Sequence, residues 1–511
     1  MTLLGAFGLS TALAACSQLP PLQQRSVSHA LPEAQAQRTP LGHAIAPRAA
    51  AHPAMSGIYP LADAHDAFAA RVLLARTAQR ALDVQYYIWR ADTTGMLLLD
   101  ALRGAAERGV RVRLLLDDNG TGGLDAELAA LDTHPNIEVR LFNPFVVRKP
   151  KAIGFLTDFR RANRRMHNKS FTADNQATIV GGRNVGDEYF GATDGVLFAD
   201  LDVLAVGPVV RDVSLDFDRY WASDSAYPVD RVLPPVAPNH LREFASAASV
   251  VERSPTAAEY VAAIRESRFV QSLLEGGLAF EWAPTRMVSD DPAKALGKAQ
   301  REDLLFPQLV DMLGAPQHAV DLVSPYFVPT APGVDALARL AAEGVRQRVL
   351  TNALEATDVP AVHAGYAKRR EALLRAGIAL YELKRSSTSG PAARHAGPFG
   401  SSGSSLHAKT FSVDDHRVFV GSFNFDPRSA RLNTELGFVI ESPALSHAIH
   451  ASFDEHVPAN AFEVRLAADG RLYWIEREAD EEIRHDTEPG TTLWQRTLVR
   501  FLALLPIEWM L

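Results

Sequence analysis

Two stretches decide how this chain reads. The first is Met166-His167-Asn168-Lys169-Ser170-Phe171-Thr172-Ala173-Asp174, followed by Gly181-Gly182-Arg183-Asn184. The second is Leu406-His407-Ala408-Lys409-Thr410-Phe411-Ser412-Val413-Asp414, followed by Gly421-Ser422-Phe423-Asn424. Both fit H-x-K-x-x-x-x-D, with a glycine seven residues past the aspartate and an asparagine three further on. On a strand, residues two apart share a face, so His and Lys project together. The aspartate falls at a turn into a second strand (178–180 or 417–420), whose end returns glycine and asparagine to the His-Lys pair. Each copy offers an imidazole, an ammonium and an amide. Two copies facing one another would surround a single anion, and that set suits a phosphodiester. A neutral imidazole attacks phosphorus to give a phosphohistidine. A protonated one donates to the leaving oxygen. Lysines and asparagines neutralise the non-bridging oxygens, so no metal or other cofactor is required.

The motifs sit in a longer repeat. Asp83-Val84-Gln85-Tyr86-Tyr87-Ile88-Trp89 parallels Asp321-Leu322-Val323-Ser324-Pro325-Tyr326-Phe327, and both read as strands. Helical stretches follow at 94–108 and 333–343, each closed by a glycine, Gly109 or Gly344, that opens an apolar strand. Further helices are predicted at 123–132 and 361–376, and strands at 137–142 and 378–383. The order strand, helix, strand, helix, strand predicts an α/β fold of two pseudo-symmetric lobes. Each lobe reads as a mainly parallel sheet with helices on both faces. Residues 59–250 form the first lobe and 251–511 the second with a C-terminal extension.

The 511 residues carry a net charge of −8 and 47% hydrophobic residues, which excludes a mainly disordered chain and counts against a general nucleic-acid binder. Cys16 is the only cysteine, so neither an intramolecular disulfide nor a cysteine zinc site can form.

The paired motifs resemble those of the phospholipase D superfamily, over about 60–450. Within it the chain is most similar to bacterial cardiolipin synthases of the C type. The closer match rests on Tyr86-Tyr87-Ile88-Trp89, residues 109–118, Gly181-Gly182-Arg183-Asn184-Val185-Gly186-Asp187-Glu188-Tyr189-Phe190, Ser324-Pro325-Tyr326-Phe327-Val328-Pro329, residues 356–366 and Leu505-Pro506-Ile507-Glu508. The resemblance implies two lobes, each a mixed, mostly parallel sheet flanked by helices, with the active site at the lobe interface, and a membrane-associated phosphatidyltransferase. It implies His167 as nucleophile and His407 as general acid, although the pseudo-symmetry leaves that order open to the sequence. Lys169, Lys409, Asn184, Asn424 and Ser422 would bind phosphate. Asp174 and Asp414 complete the catalytic motifs in a structural or orienting role. Glu435, with Asp202 in the first lobe, would orient the histidines. Gly182 stands where many members carry serine. Phosphatidylglycerol and phosphatidylethanolamine are the implied lipids, the membrane surface the implied partner, and no nucleic acid is expected. Alternatives are a phospholipase D-type hydrolase, a nuclease, and a non-catalytic lipid-binding scaffold.

Residues 1–16 resemble a lipoprotein signal peptide, with Leu13-Ala14-Ala15-Cys16 as lipobox and Cys16 as the lipidated residue. Ser17 then favours an outer-membrane anchor facing the periplasm. Residues 17–58 read as a flexible tether. Five further segments have a structural and a functional reading. Residues 148–165 hold seven Lys/Arg and one acid, a solvated loop or a basic rim. Residues 386–405 are a surface loop or a lid, and 494–505 a core-closing helix or a membrane-touching one. His363 and Tyr366 are packing or substrate-lining residues, and Asp117-Asp118 strand-end residues or a metal site.

Overall fold

The computed structural model describes residues 19–191, 200–385, 406–478 and 481–511. The expected signal peptide with Cys16, then Ser17, and the stretch 386–405 expected as a surface loop or a lid lie outside them.

The first lobe contributes β1 (Ser56–Leu61), β2 (Ala81–Ile88), β3 (Arg111–Gly120), β4 (Ile137–Phe142), β5 (Ser170–Ala173), β6 (Ala177–Gly181), β7 (Asp202–Val206), β8 (Ala226–Pro228) and β9 (Glu281–Ala283). The second contributes β10 (Thr285–Ser289), β11 (Ala319–Val323), β12 (Arg346–Asn352), β13 (Ala379–Leu383), β14 (Thr410–Val413), β15 (Arg417–Gly421), β16 (Leu436–Glu441), β17 (Ala461–Leu466), β18 (Leu472–Glu478) and β19 (Glu481–His485). The orders are β8-β4-β3-β2-β5-β6-β7-β1-β9 and β10-β16-β15-β14-β11-β12-β13-β17-β18-β19. The repeat is therefore real: β4-β3-β2-β5-β6-β7 corresponds to β13-β12-β11-β14-β15-β16.

The α/β class, the two lobes and the mixed sheets follow the sequence reading. The expectation of mostly parallel strands does not. Among the strands of the described residues only β2–β3, β3–β4, β11–β12 and β12–β13 run parallel. The motif strands β5–β6 and β14–β15 are antiparallel hairpins. Their three-residue connections are too short for a parallel crossover. Gly109 and Gly344 each close a helix at φ 91°, in the left-handed region open to glycine.

Two expected boundaries move. The first-lobe sheet ends with β9 and the second begins with β10, so the sheets change over at Pro284 rather than near 250. The intervening helices stay with the first lobe because Phe244, Ala248, Tyr260, Ile264 and Leu273 pack into its core. Residues 17–58 are no free tether either. From 19 onward they lie on the first lobe: Arg25 donates to the Ser223 carbonyl at 2.6 Å, and the helix Pro40–Ala50 buries Leu41 and Ile45. Thr39 accepts the Gly42 N–H at 3.1 Å, a cap followed by proline at the first helical position.

A shared core joins the lobes. Ile58, Val180, Val203 and Ala205 of one pack with Val418, Val420, Phe438 and Ile440 of the other.

The motif aspartates fix the far ends of the hairpins. Asp174 accepts the N–H groups of Gln79, Arg80 and Ala81 at 2.7–3.2 Å. Asp414 accepts those of Gln317, His318 and Ala319 at 2.8–3.2 Å. They anchor the entries to β2 and β11. Their role is structural, and their place in the catalytic set is corrected. Asp174→Ala should cost the first lobe about 2–4 kcal/mol, because it strands several N–H groups at once. The loss is read as an earlier first transition in urea.

Candidate active site

His167 and Lys169 lie on the extended approach to β5, and His407 and Lys409 on that to β14. The His167 N–H donates to the Thr434 carbonyl of the other lobe at 2.8 Å, and Thr434 Oγ1 to Asn168 Oδ1 at 2.7 Å. Each lysine folds back on its motif: Lys169 Nζ donates to the His167 carbonyl at 2.6 Å, and Lys409 Nζ to that of His407.

The acids cross the interface. His167 Nδ1 meets Glu435 Oε2 at 2.7 Å, and His407 Nδ1 meets Asp200 Oδ2 at 2.7 Å. A carboxylate accepts, so Nδ1 carries the proton and Nε2 keeps its lone pair. Glu435 also accepts from Ser422 Oγ at 2.6 Å and Ser429 Oγ at 2.8 Å. Tyr87 lies edge-on to His167 at 5.0 Å between ring centroids, and Tyr189 to His407 at 5.2 Å.

Glu435 is where the sequence reading put it. Asp202 is not the first-lobe partner, and Asp200 takes that place. Gly181 pairs with Asp202 as Gly421 pairs with Gly437, so the counterpart of Glu435 lies two residues before Asp202. Asp202 instead binds Arg71 at 2.7 Å and Arg183. Asp200 falls sixteen residues past Asn184 where Glu435 falls eleven past Asn424, and this longer spacing hid the match.

The same pairs account for Gly182. A Cβ there would sit 2.1 Å from Asp200 Oδ1, whereas Ser422 donates to the longer Glu435. Ser422 thus holds the acid rather than facing a phosphate, which corrects the expectation. Asn184 accepts the Ile88 N–H at 3.1 Å, leaving its buried NH2 without a partner among the described residues. Asn424 is 4% exposed, and its side-chain carbonyl has no partner among the described residues.

Burial, then the two lysines, holds His167 well below the usual imidazole value. Burial and Lys409 push His407 down to about 3. Against its burial, His407 and Arg183 hold Asp200 down to about 2. Burial raises Glu435 to about 7 against the pull of Lys169. Burial together with Lys409 lowers Lys169 to about 7, and burial lowers Lys409 to about 8. Two cations are thus confined out of water around one spot, which favours an anion there.

Other candidates are engaged elsewhere. Asp117 accepts from Met166 N–H and Arg165, and Asp118 from Phe145 N–H, Arg148 and Lys151. No cluster of metal-ligating side chains occurs among the described residues. His363 faces Glu488 at 3.1 Å beside Arg370, and Tyr366 donates to Glu382 at 3.1 Å, so both belong to a buried charged cluster. Sequence reasoning missed Tyr87 and Tyr189 as ring partners, although both fall inside stretches it singled out.

The profile of the family described as "Cardiolipin synthase, PLD-like domain" matches residues 73–221 and 309–457. The chain is 50% identical over 471 residues to cardiolipin synthase C of Escherichia coli K12, covering 92% of this chain and 99% of that one. It is 31% identical to an uncharacterized protein of Helicobacter pylori strain 26695, covering 92% of each. The fold resembles phosphatidylserine synthase of Haemophilus influenzae with a TM-score of 0.54 at 14% identity, covering 87% of this chain and 91% of that one. The fold and the paired motifs thus define a phospholipase D-type enzyme. The chain belongs to the cardiolipin synthase family of that superfamily and is a phosphatidyltransferase of its kind. Phospholipids are its substrate class and a bacterial membrane its place of work. No helix among the described residues is long and apolar enough to cross a membrane.

Gly182→Ser should drive Asp200 off His407 and lower turnover at least about tenfold while leaving the fold intact. Turnover and circular dichroism, measured together, check it. In the free enzyme both lysines lose their protons as pH rises through about 7 to 8. Since kcat/KM reports the free enzyme, it should fall above about pH 8. A bound phosphodiester raises both lysines, so kcat should hold to higher pH.

Proposed function

We propose that this phosphatidyltransferase makes cardiolipin, with phosphatidylglycerol as acceptor and phosphatidylglycerol or phosphatidylethanolamine as donor. The reading is carried by the two imidazoles held from opposite lobes, with two desolvated lysines beside them. The 50% identity to cardiolipin synthase C supports the choice of product.

His167 Nε2 attacks the donor phosphorus. The P–N bond forms as the P–O bond to the headgroup alcohol breaks, and His407 gives that oxygen a proton. Glu435 steadies the positive phosphohistidine through Nδ1. A glycerol hydroxyl of the acceptor lipid then returns a proton to His407. Its oxygen bonds to phosphorus and the P–N bond breaks. His407 is neutral in the free site because of its burial and Lys409, so it takes up its proton from solvent as the substrate binds and the phosphodiester's negative charge offsets both effects. Lys169, Lys409 and the Asn184 amide bind the non-bridging oxygens. None of these steps calls on a metal. In this reading Cys16 is acylated and holds the enzyme to the periplasmic face of the outer membrane.

The test is lipid mass spectrometry on mixed phosphatidylglycerol and phosphatidylethanolamine vesicles with EDTA. Wild type should form cardiolipin, and His167→Ala or His407→Ala should lose at least about a thousandfold in rate, the scale of removing a nucleophile or its proton donor. Phosphatidic acid without cardiolipin would make the enzyme a hydrolase instead.

A further inference from the structure

The structure carries two exposed apolar surfaces that the reaction does not use. In the first lobe, the short helices Ile153–Thr157 and Phe159–Ala162 expose Ile153, Leu156 and Phe159, with Leu156 at 86%. In the second, the helix Leu493–Leu504 has two apolar faces. Val499, Leu502 and Ala503 turn inward against Leu354 and Ala364, so the helix does close a core. Trp494, Leu498 and Phe501, at positions i, i+4 and i+7, form an outward stripe, flanked by Leu493 and Leu504. Trp494 and Leu504 are both 83% exposed, and Trp509 continues the surface at 50%.

Both surfaces end close to the active site. Arg428 donates to the Asn163 carbonyl at 3.1 Å and to its Oδ1 at 2.5 Å, four residues before His167. It also donates to the Met510 carbonyl at 3.1 Å, beside Trp509. One arginine therefore ties the base of the first surface to the end of the second, close enough to His167 to depress its basicity.

The acids beside these surfaces, Asp158 and Glu508, are paired, and several of the cations are not. Within 148–165, Arg148, Lys151, Arg161, Arg164 and Arg165 are bound to protein partners, so the run is largely structural. Lys149 and Arg160 are exposed, as is Arg500 on the C-terminal helix, and none of the three has an ion pair among the described residues.

We propose that these two surfaces form one bilayer-docking face that seats the active-site mouth on an anionic membrane. Trp494, Phe501, Leu504, Trp509 and Leu156 enter the headgroup boundary while Lys149, Arg160 and Arg500 meet lipid phosphates. Apolar residues rimmed by unpaired cations are the pattern of interfacial binding. A lipid surface is the occupant because both halves of the patch border a site whose proposed substrate lies in that surface, and to that extent the inference rests on the proposed reaction.

The test uses the full chain with Cys16→Ser, so that no acyl anchor masks binding. Trp494→Glu/Phe501→Glu/Leu504→Glu is compared with Leu156→Glu, all at exposed positions. Sedimentation with phosphatidylglycerol and phosphatidylethanolamine vesicles should show affinity falling at least about tenfold in the triple variant and less in the single one. Turnover of short-chain phosphatidylglycerol dissolved as monomers should stay within about twofold of wild type. Unchanged vesicle binding in both variants overturns the docking face. So does an equal loss on monomeric lipid, which would place the damage in the site. Wild-type binding that depends on these residues without any lipid turnover upholds the face and overturns the proposed reaction instead.

Discussion

The structure depends on two hydrogen bonds that cross between lobes, His167 to Glu435 and His407 to Asp200. Each lobe supplies an imidazole and borrows the acid that holds it. Neither half-site is complete alone, so the lobes must be held in register to within a hydrogen bond's tolerance. The apolar core shared between the lobes, and the backbone bond from His167 to Thr434, supply that register. Interface packing is thus part of the catalytic geometry rather than a support outside it.

The electrostatics follow from the same closure. Burying two lysines costs hydration, and each of them lies within range of both crossed acids. The site carries its positive charge under tension, and a phosphodiester relieves it. Burial also keeps both imidazoles neutral in the free enzyme. The nucleophile is ready before substrate arrives, and the proton donor becomes one only with the anion in place.

Much of this was legible in the chain because it is written in short-range pattern. The spacing of His, Lys and Asp, the glycines at 109 and 344, and the alternation of helix and strand each depend on a few neighbouring residues. What failed depended on register or on partner choice. Asp200 and Asp202 share strand parity, and only the pairing of β6 with β7 selects between them. Ser422 has a hydroxyl fit for phosphate, but the longer acid opposite it accepts its hydrogen bond. The strand direction was within reach, since three residues between β5 and β6 leave room only for a hairpin. The Thr39-Pro40 start of a helix was also readable, but a run of Ala, Gln and His obscured it. The basic run at 148–165 read as either a solvated loop or a basic rim, and most of it folds into ion pairs within the protein.

The crossed acids have a consequence for ancestry. A contact in which residue i of one half meets j of the other, and j meets i, is what a two-fold symmetric dimer makes. In such a dimer both half-sites must change together, because one gene writes both. Fusion into one chain removes that coupling. Here one half has become Gly182 with Asp200 and the other Ser422 with Glu435. The two histidines can then differ in basicity, and a division of labour between attacker and proton donor becomes heritable.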